Sequence, residues 1–458
     1  MPDRPSRRST RPARRIFGGR TRVPSSRESS GRVIELDIER PVAGGRMLAR
    51  GGSGVVLVAG AIPGERVRVE IERTGRGVSW GRVVDVIEAS PDRRPVASDP
   101  ACGGLAYAHV VYERQLALKA EVITDTFRRV GRVTLAGRVA VTASPVRGYR
   151  MRARLHLHDG HAGFFREATH DWCDARVTSQ LRDETLATVD AGLTWLGPAA
   201  AMCHAVIVAE NVTGDDRVLH LEADDDMVLD AVRPTRDLPH GLAGMTMMRR
   251  GEVATIAGRE RVTDTAVTLM GANAPVPASA TWSRRAASFF QANRYLTGAL
   301  VRHVLEHVRG ARVADVYAGV GLFAVALAAG GTSVLAIEGD RTSAVDLEEN
   351  ARPYAALLRT VQADVADAAR WLAPGMFDVV IVDPPRSGLS DAARDVVIRT
   401  GAPSIIYVSC DPATLARDTA RFLAAGYELA SIRAFDFFPS TAHIETVVVL
   451  HRAAYGGA

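Results

Sequence analysis

Cys410 is the residue from which a chemistry can be read, because of where the sequence puts it. Ile405-Ile-Tyr-Val-Ser-Cys410 is a β-branched and aromatic run ending in the cysteine, and Asp411-Pro412 follows as a helix N-cap with proline in the first helical position. A thiol at such a strand-to-helix corner is a candidate nucleophile. Unpaired backbone N–H groups favour its thiolate and the Asp411 carboxylate opposes it, which leaves the net direction of the pKa open. A cysteine at a strand end also serves as a small buried hydrophobe, so its neighbours must carry the argument. Asp383 closes the apolar run Phe377-Asp-Val-Val-Ile-Val and leads into Pro384-Pro385-Arg386, a stiff loop that lacks two N–H groups. His443 and Glu445 stand two apart, on one face of an extended segment.

These residues need a sheet to hold them, and from about Trp282 the pattern supplies one by alternating strand and helix. Arg312-Val-Ala-Asp-Val-Tyr317 reads as a strand, Ala318-Gly-Val-Gly-Leu322 as a tight loop, Phe323 to Ala329 as a helix and Ser333-Val-Leu-Ala-Ile-Glu338 as the second strand. Glycines at the first turn of a βαβ unit and an acid ending its second strand suit a nucleoside, with Glu338 taking ribose hydroxyls. Only two glycines at Gly-x-Gly spacing favour an adenosyl-methionine enzyme over a diphosphate-binding dehydrogenase. Asp364, ending Val361-Gln-Ala-Asp364, is placed to meet an adenine amine. Asp383 ends the fourth strand, where open α/β sheets receive ligands. Gly426 to Phe435 and Ile444 to Leu450 read as the last two strands.

The 458 residues exceed one ordinary core, and 47% hydrophobic with 24% charged residues is globular composition. No apolar run approaches bilayer length and no signal-peptide segment is visible, so no membrane partner is expected. Four scattered cysteines, Cys102, Cys173, Cys203 and Cys410, do not read as a disulfide framework and fit a reducing cytoplasm. Residues 1–32 hold ten Arg against Asp3 and Glu28, so the formal charge of +5 becomes −3 over the rest of the chain. Residues 1–31 are therefore expected to be a disordered Arg-rich tail. Residues 32–95 carry short strands separated by turns, which predicts a small β-barrel of the oligonucleotide-binding type. Between Thr126 and His158 there are eight arginines and no acid. Arg150, Arg152, Arg154, His156 and His158 share one strand face there, a cationic row suited to a phosphate backbone. Residues 159 to 275 read as further α+β structure with an acidic loop at Glu222–Asp226.

Several ordered motifs together resemble the RNA 5-methyluridine methyltransferases: Phe289-Phe-Gln-Ala-Asn293, Asp315-Val-Tyr-Ala-Gly-Val-Gly321, Asp383-Pro-Pro-Arg386, Ser409-Cys-Asp-Pro-Ala-Thr-Leu-Ala-Arg-Asp418 and Phe438-Pro-Ser-Thr-Ala-His-Ile-Glu445. Ala59-Gly-Ala-Ile-Pro-Gly-Glu65 is similar to the TRAM domain, which that family uses to bind RNA. The resemblance implies an α/β chain with a Rossmann-like class I methyltransferase domain at 281–458, an N-terminal small β-barrel of TRAM type and a central α+β RNA-binding domain at 96–280. It implies S-adenosyl-L-methionine as cofactor, with Gln291, Tyr317, Glu338, Asp364 and Asp383 lining the pocket for it and the target base. It makes Cys410 the nucleophile and Glu445 the base. Arg386 and His443, with Arg150, Arg152 and Arg154, are expected on the substrate side. Many relatives hold an iron–sulfur cluster, but Val96 and Leu105 stand where two of its cysteines would be, so no cluster is expected. Ala318 and Leu322 replace a cysteine and a polar residue common in the glycine motif.

The chemistry explains why the residues come as a set. Uracil C5 is too weak a nucleophile to take a methyl group until a thiolate adds at C6, and a base must then remove the C5 proton. RNA is the expected partner, ribosomal favoured over transfer RNA, with the chain a cytoplasmic monomer. A cytosine-C5 methyltransferase shares this covalent logic, and a noncatalytic RNA-binding protein would leave Cys410 idle.

Overall fold

A computed structural model describes residues 31–453 apart from 53, 97–98, 168, 225–227 and 229–236. The expected Arg-rich tail and part of the acidic loop lie outside the described residues.

The C-terminal part of the chain is built on one eight-stranded sheet, whose central strands Val379–Val382 and Ser404–Ser409 are buried at every position. In spatial order it runs Leu358–Gln362, Ser333–Glu338, Arg312–Val316, Val379–Val382, Ser404–Ser409, Glu445–Arg452, Tyr427–Phe435 and Ala140–Thr142. Both faces are covered, which is why Ser404–Ser409 is buried at every position. Ile406 and Val408 pack with Leu300 and Phe323 on one side, while Ile405 and Tyr407 pack with Val396 and Leu415 on the other. The chain steps outward one way after Arg312–Val316 and the other way after Val379–Val382, which opens a crevice at the carboxyl ends of those strands. Glu445–Arg452 runs antiparallel to Ser404–Ser409, so its first residue lies at the same end as their last ones.

Upstream, Val33–Pro41, Met47–Gly51, Gly54–Ala59, Arg66–Thr74 and Val78–Glu88 close a five-stranded barrel. A seven-stranded sheet follows, running from Glu252–Gly258 at one edge through Arg152–His158 to Trp172–Asp174 at the other.

The barrel ends at Glu88, before the boundary expected at 95/96, but the boundary expected at 280/281 and the separateness of 96–280 do not coincide with how the sheets are built. Ala140–Thr142 lies parallel beside Tyr427–Phe435 as the eighth strand of the catalytic sheet, and the helix Tyr112–Thr126 packs on that same sheet. Arg261–Thr265 pairs with Thr281–Arg285, so position 280 falls between two bonded strands. The cysteine expectation also needs correcting: Cys102 and Cys173, 71 residues apart, form a disulfide between buried side chains. Cys203 and Cys410 are free. Among the described residues, no three His, Cys, Asp or Glu side chains converge as metal ligands, and no helix is long and apolar enough to cross a membrane.

Candidate active site

Strand ends position the chemistry. Tyr317, Glu338, Asp383 and Cys410 each follow or close a parallel strand, and Glu445 opens the antiparallel one beside Cys410, with Ser409 opposite Thr446. Cys410 is half-buried and Glu445 buried. Asp411 caps the next helix by accepting hydrogen bonds from the Ala413 and Thr414 N–H groups at 2.9 and 2.8 Å. Those donors are thus engaged by the carboxylate. Burial, with the Glu445 carboxyl nearby, pushes the Cys410 thiol up to about 12, and Arg386 pulls it the other way.

Carboxyl groups crowd the crevice, and burial sets their protonation. Asp383 is raised to about 7, by desolvation first and by Glu338 also, while a 3.4 Å hydrogen bond from Gln291 Nε2 to its Oδ2 opposes the rise. Glu445 is held well above the usual carboxylate range by burial and by Asp383. Asp315, fully buried in the first strand, is raised likewise by burial and Asp383, although Oδ2 accepts the Ala324 N–H at 3.0 Å. An ionised carboxylate beside Cys410 opposes its thiolate, and the upward shifts of Asp383 and Glu445 lessen that opposition as pH falls.

Asp383 lines a small cavity together with Phe289, Gln291, Tyr317, Gly319 and Val320 among others. Gln291 is fixed from both sides of its loop. Ser288 Oγ donates to Asp346 at 2.6 Å, and Asn293 Nδ2 donates to the Phe437 carbonyl at 3.0 Å and to Ser144 Oγ at 2.9 Å. Tyr317 adopts φ +62, a left-handed backbone that a non-glycine residue holds at a cost of about 1–2 kcal/mol and that concentrates at functional sites. Glu338 accepts the Gly319 N–H at 2.7 Å and the Asp340 N–H at 2.6 Å, which fixes its carboxylate across the glycine turn.

Residues 278–453 match the family described as tRNA (uracil-5-)-methyltransferase. A 23S rRNA (uracil(1939)-C(5))-methyltransferase of Chromohalobacter salexigens is 33% identical, over 98% of this chain and 94% of its own length. An uncharacterised RNA methyltransferase of Corynebacterium efficiens is 30% identical over 94% of this chain and 98% of its own. The chain belongs to the RNA uracil-5-methyltransferase family. The fold agrees with the crystal structure of the Pyrococcus abyssi tRNA (uracil-54, C5)-methyltransferase in complex with S-adenosyl-L-homocysteine, at a TM-score of 0.69, 22% identity and coverage of 91% of this chain and 99% of that one.

In this methyltransferase the expected site residues fall into two groups. Cys410, Glu445, Asp383 and Arg386 come together, with His443 Nε2 3.5 Å from an Arg386 Nη. Partial burial and the cations Arg386, Lys119 and Arg150 bring the His443 ring down to about 4, so it is neutral. Gln291 and Tyr317 line the cavity, Glu338 joins it through Gly319, and Asp364 is exposed and caps a short 3₁₀ turn at the Ala366 N–H, 2.8 Å away.

The arginine row departs from expectation. Met151, Ala153 and Leu155 are buried on one face as the alternation requires, yet the outward arginines are engaged within the chain. Arg150 donates to Gln180 Oε1 at 2.7 Å, Arg152 to the Ala287 carbonyl at 3.4 Å, and Arg154 pairs with Glu222 at 2.6 Å. Their partners are 30, 135 and 68 residues away, beyond the reach of a strand-face argument. Asp315 and the cavity-lining Phe289 received no individual role from the sequence; an acid amid the apolar run Arg312–Val316 was the available signal for the first.

Proposed function

We propose that this methyltransferase modifies C5 of a uridine in ribosomal RNA through a covalent bond between Cys410 Sγ and C6 of the base. The observation carrying this reading is that Cys410 and Glu445 open from adjacent antiparallel strands into the crevice that also holds Asp383 and Arg386. Ribosomal RNA is favoured because curated relatives of 31–33% identity, matched along nearly their whole length, carry that assignment.

The cavity residues fit S-adenosyl-L-methionine. Gly319 lies at φ +58, and a Cβ there would meet nothing closer than the Phe289 carbonyl oxygen at 4.0 Å, so its bare backbone faces open space. Gln291, Tyr317 and Asp383 would hold the group from the cavity wall, and Glu338 keeps lone pairs for ribose hydroxyls. When bound, S-adenosyl-L-methionine supplies an electrophilic methyl group. Cys410, its proton lost, adds as thiolate to C6; the C5=C6 π pair moves into an enolate that makes C5 nucleophilic, and Arg386 offers a cation to the charge on the ring. Glu445 takes the C5 proton after transfer, and the C6–S bond then breaks. The base enters unpaired or flipped, since these groups lie inside a crevice.

RNA containing 5-fluorouridine tests the mechanism, because fluorine blocks the final elimination. Wild-type protein should form an adduct that survives denaturing electrophoresis, and Cys410→Ala should form none. Adducts in neither protein, or unchanged methylation by Cys410→Ala, would sink it. Nucleoside mapping of ribosomal and transfer RNA from cells with and without the gene decides the substrate.

A further inference from the structure

The seven-stranded sheet carries a row of rings that the proposed reaction does not use. One face of Arg152–His158 packs Ala153 and Leu155 into a core with Leu186 and Val189 of the helix Asp183–Leu196. The other face presents Arg154, His156 and His158. His156 stands opposite Gly163, and Phe165 opposite Trp172, so these side chains share that outer face. The His156 ring lies on Phe165 with centroids 3.5 Å apart and planes 16° apart, and His170 meets the edge of Phe165 at 5.3 Å. Trp172 Nε1 donates to the His156 carbonyl at 3.2 Å, and its rings lie 5.9 Å from His158. Gly163 makes this possible: a Cβ there would collide with the indole nitrogen of Trp172. His158 and His170 are exposed, and Phe165 and Trp172 are half-buried.

We propose that this face is a stacking platform for an unpaired stretch of the RNA substrate, continuous with the active site; the inference rests on RNA being the substrate. Three features select that occupant. Stacked aromatic and imidazole rings on a sheet bind bases through their π-faces, and imidazole nitrogens at the same place can pair with base edges, which aliphatic protein surfaces do not ask for. Of the acids at this face, Glu222 is paired with Arg154 at 2.6 Å and lies 3.7 Å from His204, and Asp159 lies 3.5 Å from His158, so cationic or imidazole groups stand beside both. Two residues before the strand, Arg150 stands 5.7 Å from the ring of Phe438, which contacts His443 at the catalytic rim. Arg150 thus links the rim of the crevice to the strand that carries the rings.

The test compares binding of a short fluorescein-labelled oligouridine with that of an RNA duplex of equal length, using the full chain. Phe165→Leu with His170→Ala retains apolar volume and removes two rings. It should weaken oligouridine binding about tenfold or more, leave duplex binding unchanged and melt as wild type does. Should that pair fail to fold, His158→Ala with His170→Ala, both on exposed positions, should show the same selective loss. In a methylation assay the deficit should appear in KM for RNA with kcat unchanged. Unchanged oligouridine affinity, equal loss on strand and duplex, wild-type protein with no preference for the strand, or loss of a self-associated form in place of RNA affinity would each overturn the proposal. Binding is read without turnover, so its failure is separate from failure of the covalent mechanism, which the 5-fluorouridine adduct decides.

Discussion

Lys119 of the helix Tyr112–Thr126 is paired with Asp436, 317 residues further along the chain, and both side chains are almost completely removed from solvent. The same ammonium donates to the Phe438 carbonyl at 3.0 Å, and Gln115, one turn earlier, accepts the Ser440 N–H at 2.9 Å. A helix from outside the expected catalytic region therefore holds the segment that runs through His443 into Glu445. Removing one partner of a buried pair strands the other charge. Lys119→Met should cost roughly 3–5 kcal/mol, whereas Lys119→Met with Asp436→Leu should recover most of that loss. Urea unfolding of the three proteins measures this; a double variant as weak as the single one would show that the pair matters for another reason.

Cys410, the proposed nucleophile, should be unreactive in the free protein. Its thiol is pushed up to about 12 by burial and Glu445, so only a trace is thiolate at neutral pH. Alkylation of Cys410 by iodoacetamide, followed by peptide mass spectrometry, should be slow near neutrality. It should rise roughly tenfold per pH unit without a plateau below about pH 9. A half-maximal rate near pH 7 would mean that Arg386 outweighs the carboxyls, reversing the ranking given above.

How much of this could be read from the chain depends on the range over which each cause acts. Cys410, Asp383 and Glu338 were legible because an apolar run ending in a polar residue predicts a strand end, and strand ends in a parallel sheet face the crevice. Glu445 needed the family resemblance for its role, since nothing local tells that its strand runs antiparallel. Ala140–Thr142 is three residues long and has no periodicity of its own; it becomes a strand only because Tyr427–Phe435 offers an open edge. The Cys102–Cys173 bond joins segments whose proximity is set by the packing of the intervening residues. The arginine row was correct in its alternation and incomplete in its consequence, because Gln180, Ala287 and Glu222 reach those guanidinium groups from elsewhere in the fold.

Asp383 should trade stability for position. Its folded pKa of about 7 lies above the roughly 3.9 of an unfolded aspartate, so the folded state binds the extra proton between those values. Its contribution is therefore fully present below about pH 4 and is lost as pH rises through about 7. Asp383→Asn removes that dependence. Relative to wild type, the variant should gain on the order of a few kcal/mol between about pH 5 and about pH 8, while losing methylation activity. Denaturant melts at the two pH values check this, and an equal difference at both would show that Asp383 does not titrate in this range.

Glu445→Gln separates the two halves of the proposed reaction. The substitution keeps the side chain's size and leaves Cys410 in place beside Arg386, so addition at C6 and methyl transfer should proceed; it would also remove a group that holds the thiol up. What fails is removal of the C5 proton, and without it the C6–S bond has no route to break. The variant should thus accumulate a methylated covalent adduct on ordinary uridine RNA, visible on denaturing gels without fluorine. Turnover should fall about 100-fold or more, the typical contribution of a positioned base. Rapid quench with labelled methyl donor distinguishes the steps: a burst of one methyl per protein followed by a stall supports Glu445 as the base. Steady turnover at the wild-type rate would assign proton removal to another group, and Asp383 would be the next residue to test.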